Sequence, residues 1–283
     1  MTRVGALLRI RLSSSRLPGK ALAPLNCRPA VTHLIDRIAA SRYIESRRDI
    51  VVTTSTDRSD DALVPVVEAA GASVFRGSLD DVVARTFGAL EAHGFDAVTQ
   101  VDGDDVFADP RYMEHAMATL LGDDALDVVL CRGLPIGMST KAIRASAIRH
   151  VHERYRAGPN GTGAFLYFTE TGLCKVAELA PLSPRHVHAA ARVTLDYADD
   201  LRFFEALVAE IGDWPFGTEE IVEAVRRRPE LVEINAYLTD RYWERSDEFI
   251  AAERLTYRDA AGRTREIAVN EGGRWFTRPQ VAA

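Results

Sequence analysis

The residues with the densest chemistry lie near the start of the chain, in Arg9-Ile10-Arg11-Leu12-Ser13-Ser14-Ser15-Arg16-Leu17-Pro18-Gly19-Lys20. Ser13, Ser14 and Ser15 combine small side chains with backbone N–H groups, and Arg11, Arg16 and Lys20 bring fixed positive charge. Pro18-Gly19 turns the chain before the last cation. Polyphosphate binding needs inward amides, fixed positive charge and no bulk between backbone and ligand. The G-x-x-x-x-G-K-[ST] spacing of a P-loop is absent. Taken alone, the same residues also describe an ordinary polar loop after a strand.

A second group is acidic. Asp102-Gly103-Asp104-Asp105 precedes Asp109-Pro110, which reads as an N-cap followed by a first-turn proline. Carboxylates so close repel one another, and a divalent cation relieves that repulsion. An Asp-Gly turn in solvent carries the same charges at little cost, and the residues alone leave both readings open. Two further strand ends are polar. Ile50-Val51-Val52-Thr53-Thr54 runs into Ser55-Thr56-Asp57, and Arg192-Val193-Thr194-Leu195 reads as a strand delivering Asp196, followed by a helix over 201–211 capped by Asp199.

The elements that must position these groups follow from hydrophobic periodicity. Val4 to Leu8, Phe95 to Val101 and Leu126 to Cys131 read as buried strands, and Ala30 to Ile44, Ser59 to Ala70, Arg111 to Leu121, Ala142 to Ala157 and Glu219 to Arg227 as helices. Ser78 is the expected N-cap of the helix after Ala72–Phe75. The alternation predicts an α/β fold with a doubly wound, mostly parallel sheet. Ligands of such sheets bind beyond the carboxyl ends of the strands, which directs the serine loop, the 53–57 tip and the acidic cluster to one crevice. Gly158 to Gly163 is expected to be the most flexible loop. Residues 1–240 form the expected main domain, and 241–283 an extension. Within the extension, 254–259 and 264–269 read as a β-hairpin around Gly262. Trp243, Trp275 and Phe276 provide apolar surface for packing it on the core or on a partner subunit.

The 283 residues suffice for one large α/β domain with an appendage. A net charge of −6 argues against a sequence-independent nucleic-acid binder. No apolar run approaches the roughly 20 residues of a membrane span, and no cleavage site follows the apolar start, so a cytoplasmic protein is expected. Cys27, Cys131 and Cys174 are too widely spaced for a metal site or disulfide framework and are expected as buried thiols.

Ser14-Ser15-Arg16-Leu17-Pro18-Gly19-Lys20-Ala21-Leu22 resembles the nucleotide-binding signature of the cytidylyltransferases. That group includes the CMP-KDO synthetases, the acylneuraminate cytidylyltransferases and the spore-coat polysaccharide enzymes. The last branch, which reads Q-A-R-x-G-S-S-R-L-P-G-K, is the most similar. The chain departs from it at Arg9, for glutamine, and at Ser13, for glycine. Thr54 through Asp61 is similar to the family's T-T-D-x-x-x-D-D, and Arg76 through Arg85 resembles F-R-G-S-x-x-D-V-L-x-R. Gly103-Asp104 matches G-D-x-P, the segment around Asp196 resembles L-T-V-D-T-P-E-D, and 229–235 resembles a closing N-P-E-L-x-x-I-N. The likeness spans about residues 4 to 235.

The resemblance implies a fold like that of the nucleotide-diphospho-sugar transferases and transfer of CMP from CTP to an acidic sugar, with release of pyrophosphate. It implies Mg²⁺ held by Asp104 and Asp196, with Asp102 or Asp105 in reserve, and a triphosphate gripped by Arg11, Arg16 and Lys20. Ser13, Ser14, Ser15, Thr54, Asp57, Arg76, Asp102 and Gly103 would face the nucleotide, and Gly137 and Thr162 a small anionic acceptor. A homodimer is also implied. The Glu-Arg-Glu-His-Val-Thr-like segment of the spore-coat branch is missing near 158–163, which opens a phosphonate acceptor as an alternative. A GT-A glycosyltransferase would share Asp102 to Asp104 without needing the serine loop. A non-catalytic homologue would be expected to lose one of the metal aspartates, yet both positions are filled.

Overall fold

The computed structural model describes residues 2–212 and 215–269, so Trp275 and Phe276 lie outside the described residues. The strands are β1 (Val4–Arg9), β2 (Pro24–Leu25), β3 (Arg28–Pro29), β4 (Ile50–Ser55), β5 (Ser73–Gly77), β6 (Ala97–Asp102), β7 (Val128–Cys131), β8 (Lys141–Arg144), β9 (Val176–Leu179), β10 (Arg254–Arg258) and β11 (Thr264–Ala268). The helices are α1 (Ala30–Ala39), α2 (Leu63–Ala69), α3 (Val82–His93), α4 (Pro110–Gly122), α5 (Ala145–Arg154), α6 (Leu166–Thr169), α7 (Ala198–Ile211), α8 (Thr218–Arg227), α9 (Glu230–Glu233) and α10 (Leu238–Ala252).

Seven strands form one sheet in the order β5-β4-β1-β6-β8-β7-β9. All its neighbours are parallel except β8, which runs antiparallel to both β6 and β7. The central strands are apolar on both faces because helices cover both sides, as a parallel sheet requires. β1 pairs residue for residue with β6, from Val4–Ala97 to Arg9–Asp102, so both strands end at the same level and open their loops side by side. This doubly wound, mostly parallel architecture and the C-terminal hairpin β10–β11 match the expectation. Among the described residues no helix is long and apolar enough to cross a membrane.

Several local expectations change. Lys141 to Arg144 is a strand and the helix begins at Ala145, because β8 runs into α5 without an intervening turn. The N-cap of α3 is Asp81, which accepts from Ala84 N at 2.9 Å, while the Ser78 hydroxyl accepts from Asp81 N at 3.0 Å one turn earlier. α7 begins at Ala198, ahead of Leu201, and the carboxylate at its start that accepts backbone N–H groups is Asp200, from Asp196 and Tyr197. Asp196 itself sits on an extended segment outside the sheet, bridged in parallel to the loop after β7 between Ile136 and Arg192. The 158–163 loop is pinned at Asn160, whose carbonyl oxygen accepts from Val82 N at 2.8 Å and whose amide donates to Asp81 at 2.7 Å. The cysteines are unpaired, with Cys131 buried, Cys174 half-buried and Cys27, against expectation, exposed.

Candidate active site

The carboxyl ends of β1 and β6 open into a cleft of about 630 Å³. Of the residues singled out in the sequence, Arg11, Ser13, Ser14, Ser15, Arg16, Lys20, Asp102, Gly103, Asp104, Gly137 and Asp196 all line it. The described lining carries eight cationic side chains against four carboxylates, within a chain of net charge −6. The surplus marks a site for anions.

At its centre, three distant stretches meet on one ammonium. Lys20 Nζ donates to Asp104 Oδ2 at 2.9 Å and to Asp196 Oδ1 at 2.8 Å, and Arg16 pairs with the same oxygen of Asp196. Burial alone would lower the Lys20 pKa, but the two carboxylates outweigh it and raise it above the usual lysine value. The aspartates respond in opposite senses. Burial pushes Asp104 up, helped by Asp196 and Asp102 and opposed by Lys20. For Asp196, burial is outweighed by Lys20, Arg16 and Arg192, and its pKa falls. Asp105 is held well above the usual carboxylate range by burial and then by the charges of Asp104 and Asp102.

Main-chain bonds place the two aspartates. Leu195 N donates to Asp104 O at 2.9 Å, and Val193 N to Ile136 O at 2.7 Å. Gly137 has φ +89° and packs so tightly on this segment that a Cβ would collide with the Val193 carbonyl. Behind Asp196, the fully buried Arg192 donates to Asp196 at 3.1 Å and to Asp200 at 2.9 Å, and Asn235 closes the set with 3.0 Å bonds to Asp200 and the Arg192 carbonyl. Arg37, also buried and pushed down to about 10 by its burial, holds the turn after the acidic cluster through the carbonyls of Phe107, Ala108 and Phe216.

A second ion cluster lies on the cleft floor. Asp102 receives Lys141 Nζ at 2.6 Å and also pairs with Arg9. Burial would raise the Asp102 pKa, but Arg9 and Lys141 hold it below the usual range. Nothing in the sequence motifs pointed to Lys141, because β8 reads as part of a helix. Arg9 was visible only as a departure from the family signature.

The β4 and β5 tips do not reach the cleft lining. Thr54 is fully buried and donates to Asp60 at 2.9 Å. Asp57 caps the short turn at 58–60 by accepting from Ser59 N at 2.8 Å. Arg76 donates to the carbonyls of Ser55 and Asp57 and pairs with Asp61 at 2.7 Å. Thr54 and Ser55 hold Asp60, a buried carboxylate that also accepts from Leu12 N at 2.7 Å and so anchors the serine loop from behind. Gly161 lines the cleft beside Thr162, whose backbone opens a short 3-10 turn.

The sequence profile of the cytidylyltransferases matches residues 6–168, more than half of the chain. The chain belongs to the cytidylyltransferase family. It is 25% identical over 232 residues to the spore coat polysaccharide biosynthesis protein SpsF of Bacillus subtilis, covering 79% of this chain and 94% of that one. It is 30% identical over 169 residues to a 3-deoxy-manno-octulosonate cytidylyltransferase of Yersinia pseudotuberculosis, covering 58% and 61%. A solved cytidylyltransferase from Leptospira borgpetersenii superposes with a TM-score of 0.74 at 20% identity, over 82% of this chain and 97% of the other, and shows the shared fold. This cytidylyltransferase is thus a nucleotidyltransferase whose charged cleft lies at the carboxyl ends of β1 and β6. Among the described residues no three His, Cys, Asp or Glu side chains form a closed metal cage. Asp104 and Asp196 offer hard oxygen donors close enough to share one ammonium, which suits a cation that fills its remaining positions with phosphate oxygens and water.

Proposed function

We propose that this cytidylyltransferase transfers CMP from CTP to a small anionic acceptor, an acidic sugar first, in a Mg²⁺-dependent reaction that releases pyrophosphate. The observation that supports this most is the meeting of Lys20, Asp104 and Asp196 on one point of the cleft. Asp104 and Asp196 would hold the Mg²⁺, which would supply charge neutralisation at the α-phosphate. Arg16 and Lys20 would bind the triphosphate and offset the charge that grows on the departing pyrophosphate, and the serine loop would bring its amides to the phosphate oxygens. Arg192 and Asp200 keep Asp196 in place from behind. A phosphonate acceptor is the second reading. It is favoured by the 158–163 loop, which lacks the spore-coat branch's acceptor segment and is tied by Asn160 to α3.

The test is pyrophosphate release with Mg²⁺, offering each of the four nucleoside triphosphates with 3-deoxy-manno-octulosonate and with phosphonates, and with Asp104→Ala as the control. Release that depends on CTP and one acceptor class, and that disappears in the variant, is expected. Failure of the wild-type protein to bind CTP would overturn the proposal.

A further inference from the structure

α10 and the hairpin lie beyond residues 6–168, which the family profile matches, and the structure brings α10 to the cleft. Tyr242, Arg245, Ser246 and Phe249 all line it, at spacings of three and four residues that put them on one helical face. One end of that face lies over the central aspartates, where the Arg192 guanidinium sits 5.3 Å from the Tyr242 ring and Arg192 itself holds Asp196. The other end meets the opposite wall. A Cβ built on Gly163 would come 3.3 Å from Phe249 and run into the Glu253 carboxylate. Next to it, Lys141 Nζ lies 5.1 Å from the centre of the Phe165 ring.

The hairpin fixes the helix in this position. Leu255 is fully buried and Val269 nearly so, both in the core beneath α3 and α5. Arg156 N donates to Thr256 O at 2.9 Å, and Tyr155 bridges Tyr257. Arg245 stands midway along the stripe, exposed to solvent within the cleft. Among the described residues no ion-pair or hydrogen-bond partner engages its guanidinium, unlike Arg9, Arg16, Lys20 and Lys141. A guanidinium left open between two ion clusters is suited to a planar or tetrahedral anion by its fork of donors.

We propose that α10 is the acceptor-selecting wall of the cleft, with Arg245 receiving an anionic group of the acceptor between the Asp104–Asp196 end and the Lys141–Phe165 end. This rests on the reaction proposed above. It also gives the C-terminal segment a role in specificity within a single chain.

The test uses the full chain saturated with CTP in the presence of Ca²⁺, titrated calorimetrically with 3-deoxy-manno-octulosonate and with methylphosphonate. At least one probe should bind, and Arg245→Gln should weaken it about tenfold, the worth of one charge-assisted hydrogen bond. CTP affinity should be unchanged, Arg245→Lys should recover part of the loss, and Glu244→Gln, on the neighbouring exposed face, should behave as wild type. Which probe binds tells a carboxylate acceptor from a phosphonate one. Binding that Arg245→Gln leaves intact, a loss of CTP affinity in that variant, or a wild-type protein that holds CTP but neither probe would each overturn the assignment. A wild-type protein that does not hold CTP would instead remove the reading beneath it.

Discussion

The serine loop has two faces, and they spend charge differently. On the cleft face, Arg16 and Lys20 pair with Asp196 and Asp104, carboxylates whose pKa values move apart because burial and acidic neighbours raise Asp104 while Lys20, Arg16 and Arg192 lower Asp196. On the rear face, one carboxylate, Asp60, is saturated by donors from Leu12, Thr54 and Ser55. The cleft face keeps like charges together, an arrangement that costs stability and suits a ligand, whereas the rear face satisfies every donor it brings together. Residues that look equally functional in a polar strand end thus divide into those that act and those that hold the actors still.

The sharpest way to separate the two faces is to remove one carboxylate from each. Asp104→Ala should lower kcat on the order of a hundred- to a thousand-fold, the usual loss for a group that stabilises charge during reaction. Because its burial and acidic neighbours already work against ionisation, the melting temperature should barely move; turnover and thermal unfolding on the same preparation check both halves. Asp60→Ala should do the reverse and destabilise by about 3 kcal/mol, read from the denaturant midpoint, because it leaves buried N–H and O–H donors without an acceptor.

The acid limb sharpens the comparison further. Hydrogen bonds from Ser55, Leu12 and Thr54 outweigh burial and hold Asp60 below its ordinary value of 3.8. The stability it contributes is therefore present in full above about pH 4 and is lost as pH falls through its folded pKa. The difference in unfolding free energy between wild type and Asp60→Asn should accordingly shrink as pH drops from 5 toward about 2. The smallest effect is expected at Arg76, which is partly exposed and faces backbone carbonyls and Asp61. Arg76→Gln should change CTP affinity less than about twofold and stability by less than about 0.5 kcal/mol. A large loss of CTP binding would return the β5 tip to the nucleotide.

Much of this was legible in the chain. The serine loop, the Asp102–Asp104 turn and Asp196 were marked by residue type and by family likeness, and all of them reach the cleft. Strand and helix alternation carried the sheet, because buried parallel strands advertise themselves as β-branched runs. β8 was hidden, since Lys141-Ala142-Ile143-Arg144 carries no break before α5 and four residues can follow either periodicity. Thr54, Asp57 and Arg76 were misplaced relative to the cleft because a strand tip looks polar whichever way it turns. The face of α10 was hidden for a related reason: a stripe of Tyr242, Arg245, Ser246 and Phe249 is neither apolar enough to mark a core helix nor charged enough to mark a surface one.

The two backbone contacts that join 135–138 and Asp104 to 193–195 bear on how this sequence can drift. The separation of Asp104 and Asp196 is dictated by main chain, which leaves it little dependent on the chemistry of the flanking side chains. Gly137 is the exception, because any larger residue would push Val193 away and carry Asp196 with it. In a lineage of such chains, position 137 should resist substitution as firmly as the aspartates themselves, although it carries no reactive atom.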